Sequence, residues 1–120
     1  GQVCSTTPLG AVTHTTPSGN QNRPFDLCAL VLGAGSRFAA RYLVTQGDQM
    51  VAAIKDAISL PGFAFVEALS PCPTQFGRQN RKDNVKEAFT YVESMTCVQH
   101  EADRRATVSG EGLLVTGAWR

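Results

Sequence analysis

Phe63-Ala64-Phe65-Val66-Glu67-Ala68-Leu69, running into Ser70-Pro71-Cys72-Pro73-Thr74-Gln75-Phe76-Gly77-Arg78, is the stretch on which the fold turns. The run from 63 to 69 is almost continuously apolar and carries two phenylalanines. It is too short for an ordinary helix and suits a strand buried on both faces. Pro61-Gly62 ends whatever lies before it. Upstream, Met50, Ile54, Ala57 and Ile58 share one helical face behind Asp48, which is placed to cap. Earlier still, residues 38–44 read as a strand. Leu27, Leu30, Val31 and Ala34 read as a helix between a capping Asp26 and a stopping Gly35.

Downstream of the decisive run the pattern loosens. Residues 70–82 read as a loop, and Asp83 is placed to cap a third helix lined by Val85, Ala88, Phe89, Val92 and Met95. Residues 98–110 are polar and carry no period, and 112–119 suit a last strand. Helix, strand, helix, strand, helix and strand in alternation predict an α/β fold, a mostly parallel sheet flanked by helices. Three strands make a thin sheet, and both apolar strands read as covered on two faces. Neighbouring strands are therefore expected from outside this stretch. The opening at Gly1, not Met, gives the same expectation of a piece of something longer.

Composition bounds the function. The chain has 120 residues, 42% hydrophobic and 18% charged, with a net charge of +1. This suits one domain, or half of a larger one, and excludes wholesale disorder. Near-neutral charge gives no bulk drive toward nucleic acid or anionic membrane. The longest apolar stretch, 27–35, falls far short of the roughly 18 residues a membrane helix needs. The polar opening does not read as a secretory leader, so a cytoplasmic protein is expected. Residues 1–24 form a long Pro-, Gly-, Ser- and Thr-rich loop with a short echo, Thr6-Thr7-Pro8-Leu9-Gly10 and Thr15-Thr16-Pro17-Ser18-Gly19. Loops of that length are either functional or loose ends.

Cys4, Cys28, Cys72 and Cys97 are widely spaced, with no C-x-x-C pair. Reduced thiols are expected, and a metal site built from these four alone is not. Cys72 stands apart because Pro71 and Pro73 fix the backbone on both sides, beyond the carboxyl end of the predicted strand, where open α/β sheets bind ligands. A nucleophilic cysteine would need a histidine base, and neither His14 nor His100 sits in a motif. Gly33-Ala34-Gly35 follows a helix, not a strand, which argues against a dinucleotide site. Arg78, Arg81 and Lys82 form a small basic cluster, readable as solvated surface or as a dock for an acidic protein.

Several ordered motifs resemble the thiamine-diphosphate-binding (beta) subunit of 2-oxoacid:ferredoxin oxidoreductases, in its C-terminal half and closest to the 2-oxoglutarate type. Gly1-Gln2 and Ser5-Thr6-Thr7-Pro8-Leu9-Gly10 resemble the end of the family's T-G-G-Q segment and the T-P-x-G after it. Pro17-Ser18-Gly19-Asn20 and Pro24-Phe25-Asp26-Leu27-Cys28 resemble its P-x-G-N and P-F-D-L-C segments. Gly33-Ala34-Gly35, Ala40-Arg41 and Gly62-Phe63-Ala64-Phe65-Val66-Glu67 follow in order. Ser70-Pro71-Cys72-Pro73-Thr74-Gln75-Phe76-Gly77-Arg78 with Asn80 is the most specific piece. Residues 83–108 match weakly, and Glu111-Gly112-Leu113-Leu114-Val115-Thr116-Gly117 is loosely similar to the closing strand.

The resemblance implies the C-terminal part of a thiamine-diphosphate-binding domain. Residues 1–24 would be an active-site loop, 25–96 the helix and strand units, and 97–120 a tail left unassigned. It implies coenzyme A-dependent oxidative decarboxylation of 2-oxoglutarate or a related 2-oxoacid. Electrons would pass through a [4Fe–4S] cluster to ferredoxin, beside an alpha subunit. Cys72 stands at the family's cluster ligand, and Gly1 and Gln2 at the end of the segment beside thiamine diphosphate. No catalytic residue carries over. The family's C-x-x-C-G, third cluster cysteine and magnesium–diphosphate motifs lie in the other half, so the chain alone is expected to be inactive. The alternative is a non-catalytic α/β binding module lacking the cofactor half.

Overall fold

A computed structural model describes residues 1–82, 84–98 and 114–119. The expected helices and strands are present in order: α1 (Leu27–Gly33), β1 (Phe38–Leu43), α2 (Gly47–Ser59), β2 (Ala64–Leu69), α3 (Val85–Ser94) and β4 (Leu114–Trp119). Two further elements were not anticipated. Pro73–Gly77 forms a single π-helical turn, and Thr96–Val98 forms a short strand, β3. The expected Asp83 cap and the unpatterned 99–110 segment lie outside the described residues.

The four strands form one sheet in the order β2-β1-β4-β3. β1 and β2 run parallel, with Phe38 opposite Ala64 and Arg41 opposite Glu67. β3 and β4 are also parallel, whereas β4 meets β1 antiparallel, Trp119 opposite Ala39. The sheet is therefore mostly parallel, as the alternation of elements predicts.

β1 is the centre of the packing, and successive side chains leave a strand on opposite faces. On one face Ala39 joins Cys28 and Trp119, with Val31 and Leu32 of α1 against them. On the other, Phe38 and Ala40 pack with Ala53, Ala57 and Leu60. Burying a side chain such as Phe38 contributes roughly 1.5–3 kcal/mol. Gly35 stops α1 as expected. It takes a left-handed φ of 93°, which lets its amide turn back to Leu32 O at 3.0 Å.

Three local expectations need correction. Asp48 does not cap α2: the helix starts earlier, at Gly47, and Asp48 lies inside its first turn, where its charge favours the helix dipole. The buried face of α2 is centred on Ala53 and Ala57, while Ile54 and Ile58 are exposed. Small residues let the helix approach the sheet closely and turn the branched side chains outward. In α3, Val85 is exposed and Ala88 is the buried residue. Asn84 Oδ1 accepts the amide of Glu87 at 2.8 Å and caps that helix.

The chain divides into two units. One holds residues 1–26 and 71–92, the other residues 27–70 and 93–120. The second contains the sheet and a buried ion pair. Arg41, 1% exposed, points its Nε at Glu67 Oε2 at 2.6 Å, and Cys28 Sγ donates to the same oxygen at 3.8 Å. Among the described residues no helix is long and apolar enough to cross a membrane.

Candidate functional site

The first unit has little regular structure, and hydrogen bonds hold it. The opening loop contains one isolated β-bridge, Thr13 to Thr16. Asn20, 4% exposed, ties its turns together. Its Nδ2 donates to Thr7 O at 2.8 Å and Asn22 O at 2.9 Å, and its Oδ1 accepts the Asn22 amide at 3.1 Å. The backbone adds Gly10 N to Asn20 O at 2.7 Å and Asn20 N to Ala11 O at 2.9 Å. Polar loop residues thus satisfy one another where a ladder would otherwise do so.

The segment after β2 closes tightly around Cys72. Pro73, whose missing amide costs nothing there, opens the π-helical turn. Gly77 N donates back to Cys72 O at 2.8 Å, and Lys82 N donates to Gly77 O at 2.7 Å. A Cβ on Gly77 would stand 2.5 Å from Lys82 O, so only glycine fits this approach. Asn80 then joins the turn to the opening loop. Its Oδ1 accepts Val12 N at 2.8 Å, and its Nδ2 donates to Val12 O at 2.9 Å and Phe76 O at 2.8 Å.

Between loop and turn lies a cavity of about 140 Å³ whose walls include Gly1, Gln2, Thr13, His14, Cys72 and Gln75. The three residues singled out from sequence, Gly1, Gln2 and Cys72, therefore line one cavity across a wide sequence separation. His14 and Thr13 are there too, with no motif to announce them. The buried Thr13 hydroxyl has no hydrogen-bond partner among the described residues.

Cys72 is exposed, and its thiol is lowered to about 7, first by the hydrogen bond with Thr74 Oγ1 and then by the Phe76 and Gln75 amides. The two prolines withhold amides at the sulfur's immediate neighbours, and residues of the turn supply them instead. Cys4 is also lowered to about 7, chiefly by Thr6 and Thr7 hydroxyls at 3.2 and 3.3 Å. Both cysteines stand two residues before a threonine, a signal the sequence carries and motif reading overlooks. Cys28 is buried in the other unit, and Cys97 is exposed. None of the four cysteines is in a disulfide. Among the described residues no cluster of three or more His, Cys, Asp or Glu could hold a metal ion. Of the basic cluster, Arg78 and Arg81 are exposed, while Lys82 Nζ sits 5.4 Å from the Tyr91 ring centroid. His100 lies outside the described residues.

The family model for the thiamine pyrophosphate enzyme C-terminal TPP-binding domain matches residues 1–68. The 2-oxoglutarate synthase subunit KorB of Methanothermobacter marburgensis is 35% identical over 117 residues, 98% of this chain and 41% of that protein. The pyruvate synthase subunit PorB of Methanocaldococcus jannaschii is 30% identical over 81 residues, 63% of this chain and 27% of that protein. A solved 2-oxoglutarate:ferredoxin oxidoreductase from Magnetococcus marinus, with 2-oxoglutarate, coenzyme A and succinyl-CoA bound, superimposes with a TM-score of 0.75 at 22% identity. That match covers 98% of this chain and 40% of the other, and it shows a shared fold. The chain thus spans about two-fifths of the length of such relatives. With more than half of its residues matched by the domain model, the chain belongs to the thiamine pyrophosphate enzyme family, in the C-terminal TPP-binding domain.

Proposed function

We propose that the chain forms the C-terminal part of the thiamine-diphosphate-binding beta subunit of a 2-oxoacid:ferredoxin oxidoreductase. One observation carries the reading: Gly1, Gln2 and Cys72 line a single cavity. Cys72 is the cluster ligand, and Gly1 and Gln2 flank the thiamine diphosphate. The substrate is 2-oxoglutarate or a related 2-oxoacid, supported by 35% identity over 117 residues to a 2-oxoglutarate synthase subunit, against 30% over 81 for a pyruvate synthase subunit. Coenzyme A, an alpha subunit and ferredoxin complete the assembly, which works in the cytoplasm. Residues 1–24 serve it as an active-site loop, 25–96 as the helix and strand units, and 97–120 as a tail that carries β4.

The residues present fit one side of each cofactor. A four-iron cluster takes four ligands, and the exposed, thiolate-prone Cys72 supplies one. The cavity of about 140 Å³ is smaller than the roughly 300 Å³ and upward that a whole organic cofactor fills. Most of the thiamine diphosphate and its magnesium therefore rest on other residues. When bound, the thiamine supplies carbanion chemistry and the cluster takes up single electrons. The chain's own part is to hold Cys72 as a thiolate, through Thr74 and the turn amides, and to line one side of the cavity.

Anaerobic iron and sulfide analysis of the assembled enzyme, with and without Cys72→Ser, tests this. Loss or marked destabilisation of a four-iron cluster in the variant supports the reading. An unchanged cluster makes Cys72 structural, and a parent with no iron at all makes the chain a non-catalytic module.

A further inference from the structure

Asn80 belongs to neither the proposed ligands nor the hydrophobic core, yet its side chain makes more hydrogen bonds across the cavity unit than any ligand candidate. An asparagine amide offers two N–H donors and one carbonyl acceptor. Here the oxygen accepts Val12 N at 2.8 Å, and the nitrogen donates to Val12 O at 2.9 Å and Phe76 O at 2.8 Å. The amide pairs with both backbone groups of Val12 as an adjacent strand residue would. It reaches a residue 68 positions away in sequence while holding one only four positions away. Its own backbone amide donates to Phe76 O and Gly77 O, both at 3.1 Å.

The two ends of this clamp are the two walls of the cavity. Val12 precedes Thr13 and His14, and Phe76 follows Gln75, all of them lining residues. Phe76 leads into Gly77, whose amide is bonded to Cys72 O at 2.8 Å. We infer that Asn80 is a positioning residue that clamps the wall carrying Thr13 and His14 to the turn carrying Cys72, and so fixes the environment of the cluster that Cys72 ligates. The inference rests on the proposed reading of Cys72. Other side chains fail on count or reach: aspartate has no donor, serine is too short, and glutamine sets the amide one methylene further out.

The test uses the assembled holoenzyme with Asn80→Asp, which keeps the shape and loses both donors, and the milder Asn80→Gln. Three quantities are read: cluster midpoint potential from an EPR-monitored titration, rate of iron loss to a chelator, and melting temperature. Asn80→Asp is expected to speed iron loss about tenfold and to shift the reduced-to-oxidised ratio at fixed potential severalfold. A tenfold change in that ratio corresponds to 59 mV for one electron. Asn80→Gln should fall between Asn80→Asp and the parent. A lower melting temperature with unchanged potential and iron-loss rate in both variants makes Asn80 merely structural and overturns the inference. Cys72→Ser measured alongside separates the two claims. If Cys72→Ser loses the cluster and Asn80→Asp does not disturb it, only the Asn80 inference fails. If Cys72→Ser keeps the cluster unchanged, the reading beneath it fails.

Discussion

Replacing Glu67 with glutamine removes one charge from the buried pair in the sheet unit and changes almost nothing in volume. Arg41 is 1% exposed, Glu67 16%, and they meet at 2.6 Å across the parallel β1–β2 register. Breaking a buried pair by removing one partner costs about 3–5 kcal/mol, because the remaining ion stays desolvated. The partial exposure of Glu67 places this pair near the lower figure, about 3 kcal/mol. For a chain of this size that is a fall in melting temperature of roughly 10–15 °C. Thermal unfolding of parent and Glu67→Gln, followed by circular dichroism at neutral pH, measures it. Arg41→Met with Glu67→Leu, set against each of those two single variants in a double-mutant cycle, should restore most of the loss, since an apolar pair of similar volume pays no ionic desolvation. A shift of only a degree or two for Glu67→Gln, or a double variant that falls by the sum of the singles, would refute the reasoning.

Two further outcomes follow from the cavity unit. In cluster-free protein, alkylation of Cys72 should rise with pH through a midpoint of about 7, below the roughly 8.5 of an unperturbed cysteine. The depressed value means the thiolate is favoured in the fold, so its stabilising contribution is full above the unfolded value and is lost as pH falls through about 7. Thr74→Val should move the midpoint upward, and residue-resolved mass spectrometry keeps Cys72 separate from Cys4. Charge reversal at the exposed Arg78 and Arg81 should slow reduction of an acidic electron carrier and flatten its salt dependence, while the cluster spectrum stays the same. An unchanged rate and salt slope in stopped-flow reduction would leave these arginines as solvated surface.

The sheet was legible because its signal is local. The 63–69 run, the Pro61-Gly62 stop and the alternation of elements needed no tertiary information. α2 shows where locality ends: periodicity puts Ala57 on the inner face, as found, but puts Ile54 and Ile58 there too, whereas Ala53 takes that place because small side chains allow close approach. β3 is three residues long and pairs in parallel with β4 across a long separation, too little pattern to register on its own. At the site, the proline-flanked Cys72 could be singled out from sequence. Thr13 and His14 could not, because what brings them to Cys72 is a single amide on Asn80, which has no periodicity to read. The antiparallel pairing of β4 with β1 is likewise not legible, because the alternation of elements carries no strand direction for it.

The interleaving of the two units has a kinetic consequence. The cavity unit is split by residues 27–70, so its halves meet only after a long excursion of chain. Joining Asn80 to Val12 closes a loop of 68 residues, which for a flexible chain costs about 4 kcal/mol of entropy plus a constant. β1, α2 and β2 are contiguous in sequence, and their contacts need no such closure. Once they have condensed, the stretch between the two halves is no longer free, and the remaining closure is shorter. The folding order is then written into the connectivity: the contiguous β1, α2 and β2 first, and the closure that joins Asn80 to Val12 afterwards.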